Sequence, residues 1–272
     1  MKKRLAMVLA VTLLAMTVFV GCGSKDNSSD KNSKKEYTEK KSGDKFTVGF
    51  DQDFPPMGFV GDDGEFTGFD LEMAAEVAKR LNLTIAYQPI AWDAKDMELD
   101  AGTIDCIWNG FTMNGREDDY EWSKPYMKNN QVFVVRGDSD INSEADLAGK
   151  NVEVQTDSSA EAALNDNSEL TSTFGSLTPV ADYNTAFMDL ESGAVDAIAM
   201  DDVVASYQIT SRKADFKVLD DVIAAEEYGI GFKKGNTGLR DKVQATLEEM
   251  AADGTAAKIS EKWFGKDITT IQ

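Results

Sequence analysis

The sequence predicts an α/β fold with largely parallel strands, on three observations. Strand-like and helix-like stretches alternate along the body. The 229 residues from Asp44 onward suffice for two modest lobes around a buried core. No sequence repeat and no glycine-rich phosphate loop interrupts the alternation; Gly229 and Gly231 are read as a strand glycine pair.

In order, residues 46–50 read as a strand, and Pro55, Pro56, Gly61 and Gly64 punctuate the loop and turn that follow. Leu71, Ala74, Ala75, Ala78 and Leu81 form one face of a helix over 70–81. A strand at 84–87 leads to a short helix over 95–101, stopped by Gly102. Strands follow at 104–108 and 131–135. Ser143 and Asp146 are spaced as a capping box opening a short helix. Then come a strand at 152–154, a helix over 159–164, and a helix over 185–192 ended by Gly193. A strand at 197–200 and a helix over 202–211 precede two strands, 216–219 and 228–232. Leu239, Val243, Leu247 and Met250 stripe a longer helix ending at Gly254, and a last helix runs through 259–263.

Before the body, Lys2, Lys3 and Arg4 precede an uncharged apolar run from Leu5 to Val20. Gly21 and Cys22 close it, in the layout of a secretory signal. Residues 1–22 also resemble a bacterial lipobox, although Phe19 stands where leucine is usual. The resemblance makes Cys22 the lipidated first residue of a mature chain held at a membrane face outside the cytoplasm. The other reading is a plain signal peptide with a chance cysteine. Residues 23–43 offer no apolar cluster to bury and are expected to be a disordered tether. As a flexible chain they span about 25 Å root-mean-square.

The chain carries 28 Lys+Arg against 48 Asp+Glu. Setting aside three basic residues in the signal, and seven lysines and five acids in 23–45, leaves 18 against 43, a net charge of about −25. Such a body is unsuited to nucleic acid or an anionic membrane surface. The absence of histidine excludes Ser-His-Asp and Cys-His catalysis and His-ligated zinc. No cofactor or metal is expected. With Cys22 lipidated, Cys106 has no partner and reads as a small buried hydrophobe.

Several phrases, in order, resemble the family of extracellular solute-binding proteins for polar amino acids, the receptors of bacterial ABC importers. They are GFDQDFPP (49–56) with Gly68 to Asp70, IWNGFT (107–112) through Arg116, and WSKPY (122–126). DLAGK (146–150), VDAIAMD (195–201), YGIGFK (228–233), and Asp253 to Thr255 through EKWFG (261–265) complete the set. The resemblance spans about 46–265 and none of the tether. It implies a type II periplasmic-binding-protein-like clamshell of two α/β lobes with two hinge crossings. Lobe 1 would be 44–125 plus 229–272, lobe 2 131–223, and the crossings 126–130 and 224–228. It also implies a monomer that takes a free amino acid and delivers it to the permease of an ABC importer.

A free amino acid presents a carboxylate, an ammonium and a side chain. For the carboxylate the resemblance points to Arg116, whose planar fork matches two oxygens, with Thr112 in the loop after strand 104–108. Ser158 and Ser159 face it from a helix N-terminus. Arg116 is otherwise a surface ion pair with Glu117 or Asp118, and the serines ordinary caps. The family usually has one more residue between its threonine and arginine than Thr112 and Arg116 allow. For the ammonium the candidate is Asp201, at the C-terminal end of a strand where α/β sheets bind ligands, with backbone carbonyls near Asn109 and Gly110; its alternative is a cap for the next helix. For the side chain the candidates are Asp51, Phe54, Trp92, Gln155 and Met200. Phe54 and Trp92 would sandwich the ligand's carbon chain, with core packing as the alternative. One carboxylate, Asp51, beside neutral Gln155 and Met200 suits a cationic group or an amide better than an acid: glutamine, arginine, lysine or cystine.

Two other readings compete. Some proteins of this fold resemble dehydratases acting on amino-acid precursors, where Asp51 would carry acid–base work, but no paired second group is seen. A ligand-sensing module of a receptor or wall-remodelling enzyme carries a further domain or span; the short stretch after Gly265 is expected to hold none.

Overall fold

A computed structural model describes Tyr37 and residues 39–272. The signal segment, Cys22 and most of the expected tether lie outside the described residues. The body begins earlier than Asp44: Tyr37 Oη donates to the Lys234 carbonyl (2.8 Å), Lys40 Nζ reaches Asp105 Oδ2 (2.6 Å) and the Gly43 N–H donates to Asn82 O (2.8 Å).

The chain opens with β1 (Lys45–Phe50), then a small antiparallel sheet of β2 (Asp53–Phe54), β3 (Gly58–Val60) and β4 (Phe66–Thr67) in the stretch expected to be loop. Gly68 sits at φ 142°, where a Cβ would come within 2.3 Å of the Met57 carbonyl. It starts α1 (Phe69–Arg80), which carries Asp70 and Glu72 in its first turn and Lys79 and Arg80 in its last, in keeping with the helix dipole. Its buried face is wider than expected, with Met73 and Val77 buried and Ala75 not. Next come β5 (Thr84–Pro89), a 3-10 turn at Trp92–Ala94 and α2 (Lys95–Ala101), ended by Gly102 at φ 77°. β6 (Cys106–Thr112) runs four residues beyond Trp108, so Thr112 lies in a strand rather than a loop. β7 (Tyr120–Trp122) leads to β8 (Met127–Arg136).

The Ser143–Asp146 capping box is present and opens a 3-10 turn. β9 (Asn151–Gln155), α3 (Ser159–Asp166), α4 (Ser168–Thr171), β10 (Ser176–Val180) and α5 (Tyr183–Ser192) follow. β11 (Ala197–Asp201) and α6 (Asp202–Arg212) then lead to β12 (Phe216–Lys233), one strand of 18 residues where two shorter ones were expected. α7 (Thr237–Ala252) and α8 (Thr255–Phe264) close the chain.

The main sheet runs β10-β9-β11-β8-β12-β6-β1-β5. It is mixed, not largely parallel. The outer strands pair in parallel on both sides (β1 with β5 and β6, β9 with β10 and β11), but β8 and β12 are antiparallel to their neighbours. These two strands join the lobes of a type II clamshell. β12 pairs with β8 from Ala224↔Gln131 to Tyr228↔Met127, then continues against β6 and β7. A long strand serving both lobes can only be antiparallel to its own return, which breaks the parallel pattern at the crossings.

Candidate functional site

One wall of the cleft is set by β1 and β6. Asp51 follows β1, and its backbone N–H donates to Asn109 Oδ1. Asp70 on α1 is fully buried; its Oδ2 accepts from the Gly110 N–H (2.6 Å) and Tyr126 Oη (2.9 Å). Burial pushes its carboxyl up to about 7. Gly110 holds φ 57°, and a Cβ there would lie 3.1 Å from Phe54 and Tyr228, so the close approach suits glycine. Beyond β6, the turn through Asn114 and Gly115 brings Arg116 back over Phe111, 5.4 Å from the ring centroid.

The opposite wall comes from the C-terminal ends of β9 and β11. Gln155 ends β9, and Asp157 takes φ 58°. Ser158 caps α3 by accepting the Glu161 N–H (3.1 Å). Asp201 makes no side-chain cap to α6; its carboxylate turns into the cleft. Met200 faces the other way. Side chains alternate along a strand, and Met200 is fully buried in the core. It therefore does not line the cleft, a correction to its expected role.

The walls meet directly. Gln155 Nε2 donates to Asp51 Oδ2 (2.6 Å) and Asn184 Nδ2 to Asp53 Oδ1 (2.8 Å). Arg116 Nη2 donates to the Asp157 carbonyl (3.2 Å), and Lys95 Nζ pairs with the Asp157 carboxylate. They bound a narrow cavity lined by Asp51, Phe54, Trp92, Asn109, Gly110, Thr112, Arg116, Gln155, Ser158, Ser159 and Asp201. Every expected site residue except Met200 is brought to it. Trp92 stands edge-on to Phe111 (5.4 Å, 90°) with Lys95 Nζ 5.1 Å from its ring centroid, so both packing and lining describe it.

Among the described residues Arg116 forms no ion pair. Among the described residues its guanidinium donates only to the carbonyls of Thr112 (3.4 Å) and Asp157 (3.2 Å), which leaves donors for an anion. Asp201 is 4% exposed, and its Oδ1 accepts from Asn129 (2.7 Å), Gln131 (2.8 Å) and Tyr228 Oη (2.5 Å). Burial, and then the neighbouring Glu226 carboxylate, push it up to about 7. Asp51 is pushed up to about 6, again chiefly by burial. Among the described residues no group of three or more His, Cys, Asp or Glu is placed to hold a metal ion.

Sequence reasoning missed Glu226, Asn129, Gln131 and Tyr228, which surround Asp201, and the Lys95–Asp157 pair. Glu226 and Tyr228 fell inside the expected crossing. Strand periodicity had a signal to offer there, since Glu226 and Tyr228 are buried and Glu227 between them is exposed.

Residues 46–266 match the bacterial extracellular solute-binding proteins, family 3. The chain is 33% identical over 225 residues to the L-cystine-binding protein TcyJ of Escherichia coli K12, covering 82% of this chain and 83% of that one. It is 31% identical over 275 residues to the L-cystine-binding protein TcyA of Bacillus subtilis, covering 99% and 100%. Among solved structures, a substrate-binding protein of an ABC uptake transporter from Streptococcus pneumoniae with bound histidine superposes with a TM-score of 0.81 at 35% identity, covering 83% of this chain and 94% of that one.

Proposed function

Because the chain belongs to the bacterial extracellular solute-binding proteins of family 3, we propose that it captures a free polar or cationic amino acid between its lobes and hands it to an ABC importer permease. The observation that carries this reading is a guanidinium with free donors, Arg116, and a buried carboxylate, Asp201, on opposite walls of one cavity. They match the two charged ends of a zwitterion. Thr112, Ser158 and Ser159 stand with Arg116 at the carboxylate end. At the far end, Asp51 and Gln155 favour an amide or a cation, since a ligand carboxylate would face Asp51 across a low-dielectric gap. Cystine, named for two of the relatives, carries at its far end an ammonium that suits Asp51 and a second carboxylate that must sit away from it.

Ligand contacts made to both lobes favour the closed form, because only closure gains both sets. The permease then reads the closed shape. In this reading the protein is a monomer without turnover, carried outside the cytoplasm on a lipid at Cys22, with residues 23–43 serving mainly as tether. The layout of residues 1–22 supports the anchor. No helix among the described residues is long and apolar enough to cross a membrane.

The test is a thermal-shift screen of the twenty amino acids with cystine and ornithine. A ligand raises the melting temperature by mass action. A shift confined to polar or cationic members supports the reading, and no shift with any of them ends it. Loss of membrane retention in Cys22→Ala tests the anchor separately.

A further inference from the structure

Glu226 lies on β12 where it crosses between the lobes, and it is 6% exposed. Its Oε2 sits 2.8 Å from Thr112 Oγ1 and 3.4 Å from Ser159 Oγ, hydroxyls from opposite walls of the cleft. It also accepts from Asn129 Nδ2 (3.1 Å) and Gln131 Nε2 (3.0 Å). Those two amides donate to Asp201 Oδ1 as well. Two carboxylates are thus bridged by the same pair of neutral donors, and among the described residues no lysine or arginine pairs with either.

The amide oxygens on the other side of those donors, Asn129 Oδ1 and Gln131 Oε1, are buried without any donor. Asn129 is 3% exposed and Gln131 fully buried. The corner therefore holds two carboxylates and two unmet amide acceptors, with Asp201 at the cavity wall. A group with one positive charge and several N–H bonds satisfies it, and an ammonium has three.

We propose that Asp201, set against the Glu226 carboxylate, holds a proton in the ligand-free protein and releases it to solvent when a ligand's ammonium enters. The proposal rests on the zwitterion reading above and deepens it. The charge balances: neutral Asp201 gives one proton to solvent, and its carboxylate of −1 receives an ammonium of +1. A buried carboxyl facing a like charge favours its protonated form until a cation arrives. The other groups facing the pair do not supply one. Tyr228 donates to Asp201 from β12, Tyr183 on α5 is raised by both carboxylates, Tyr126 adjoins Tyr228, and Asp202 adds a further negative charge. Each of these tyrosines is pushed well above its usual range, chiefly by burial, and stays neutral. Glu226 does not line the cavity and is a positioning residue: it sets the charge of Asp201 and ties that charge to the crossing strand.

The test is calorimetric titration of the full chain with L-cystine, L-arginine, L-glutamine and L-histidine, in phosphate and in Tris at pH 7. The dependence of the heat on buffer ionisation counts protons. With whichever of the four binds, the expected release is about half a proton or more per ligand, and affinity rises about tenfold between pH 6 and pH 8. The sign follows from linkage: protonated Asp201 must give up its proton to bind, so acid weakens binding. In Glu226→Gln, Asp201 no longer faces a like charge. Release falls below the wild-type count and the pH dependence of affinity weakens over the same range, while burial, the larger cause, remains. Any proton lost from Asp51 appears in both proteins and cancels in the comparison. The wild-type count stands even where the variant folds poorly. Binding of none of the four overturns the zwitterion reading and the inference with it. Binding without proton release, or with equal release in Glu226→Gln, overturns the inference alone.

Discussion

The two ends of the cleft are built on different principles. At the proposed ammonium end, Asp201 is held by Asn129, Gln131 and Tyr228, all on the two strands that join the lobes. At the far end, Asp51 belongs to one wall and Gln155 to the other, and their hydrogen bond spans the cleft. In the proposed reading the ammonium site is carried by the strands that join the lobes, whereas the carboxylate and side-chain sites are completed by groups from both walls. Preorganisation lowers the ordering cost of binding. Completion from both walls links selectivity to the conformational step.

The largest effect expected lies at the proposed carboxylate site. Arg116→Ala removes the only cationic fork facing the ligand carboxylate. The cost is about 3 kcal/mol, the low end for an unpaired buried charge because the guanidinium is partly exposed, or more than a hundredfold in Kd. Calorimetry should show this loss equally for every ligand that binds. A selective loss would place Arg116 at the side-chain end instead.

At the side-chain end the effect is smaller and depends on the ligand. Asp51→Asn keeps an acceptor for Gln155 and removes the charge. A ligand with a distal cation loses about 1.5–3 kcal/mol, the range for a charge-assisted hydrogen bond, and a neutral one little. For the cationic ligand, pH sharpens the same contrast. Asp51, raised to about 6 by burial, must be ionised to attract it, so this share of affinity is present above that value and fades as pH falls through it. The measurement is Kd for arginine and glutamine, wild type against variant, between pH 5 and 8. Parallel changes for both ligands would defeat the assignment.

The same division explains what could be read from the sequence. Helices with clear ends were legible. Gly102 and Gly193 adopt the left-handed conformation at the stops they were expected to make, and Ser143 caps as its spacing predicts. The ligand-facing residues lie at strand ends within recognisable phrases, and all except Met200 reach the cavity. Met200 failed because the period of a strand separates it from Asp201 by a half-turn. The 18-residue β12 read as two strands because acids at Asp220, Asp221, Glu226 and Glu227 break its apolar pattern. Asp220 and Glu227 are exposed and Asp221 half-exposed, whereas Glu226 turns inward. The Lys95–Asp157 pair was invisible because it joins segments 62 residues apart and forms only when the walls meet.

That pair gives the smallest and most discriminating effect. The Lys95 side chain is 2% exposed and that of Asp157 51%, so the ion pair is buried at one end and wet at the other. Burial lowers the Lys95 ammonium from its usual range even with Asp157 beside it. Water screens the exposed carboxylate, which limits the pair to about 1 kcal/mol or less. Lys95→Met keeps an apolar stem against Trp92 and leaves Asp157 to solvent. Asp157→Ala leaves the buried ammonium with only the carbonyls of Trp92 (3.4 Å) and residue 157 (3.3 Å). Asp157→Ala should therefore speed ligand release more than Lys95→Met, each by less than about fivefold, with the double variant no faster than Asp157→Ala alone. Raising salt should accelerate release in the wild type and not in the variants. Stopped-flow dissociation measures all three. If release is unchanged in both single variants, the pair does not hold the closed form, and closure rests on the ligand and the other contacts between the walls, Asp51–Gln155, Asp53–Asn184 and Arg116–Asp157 carbonyl.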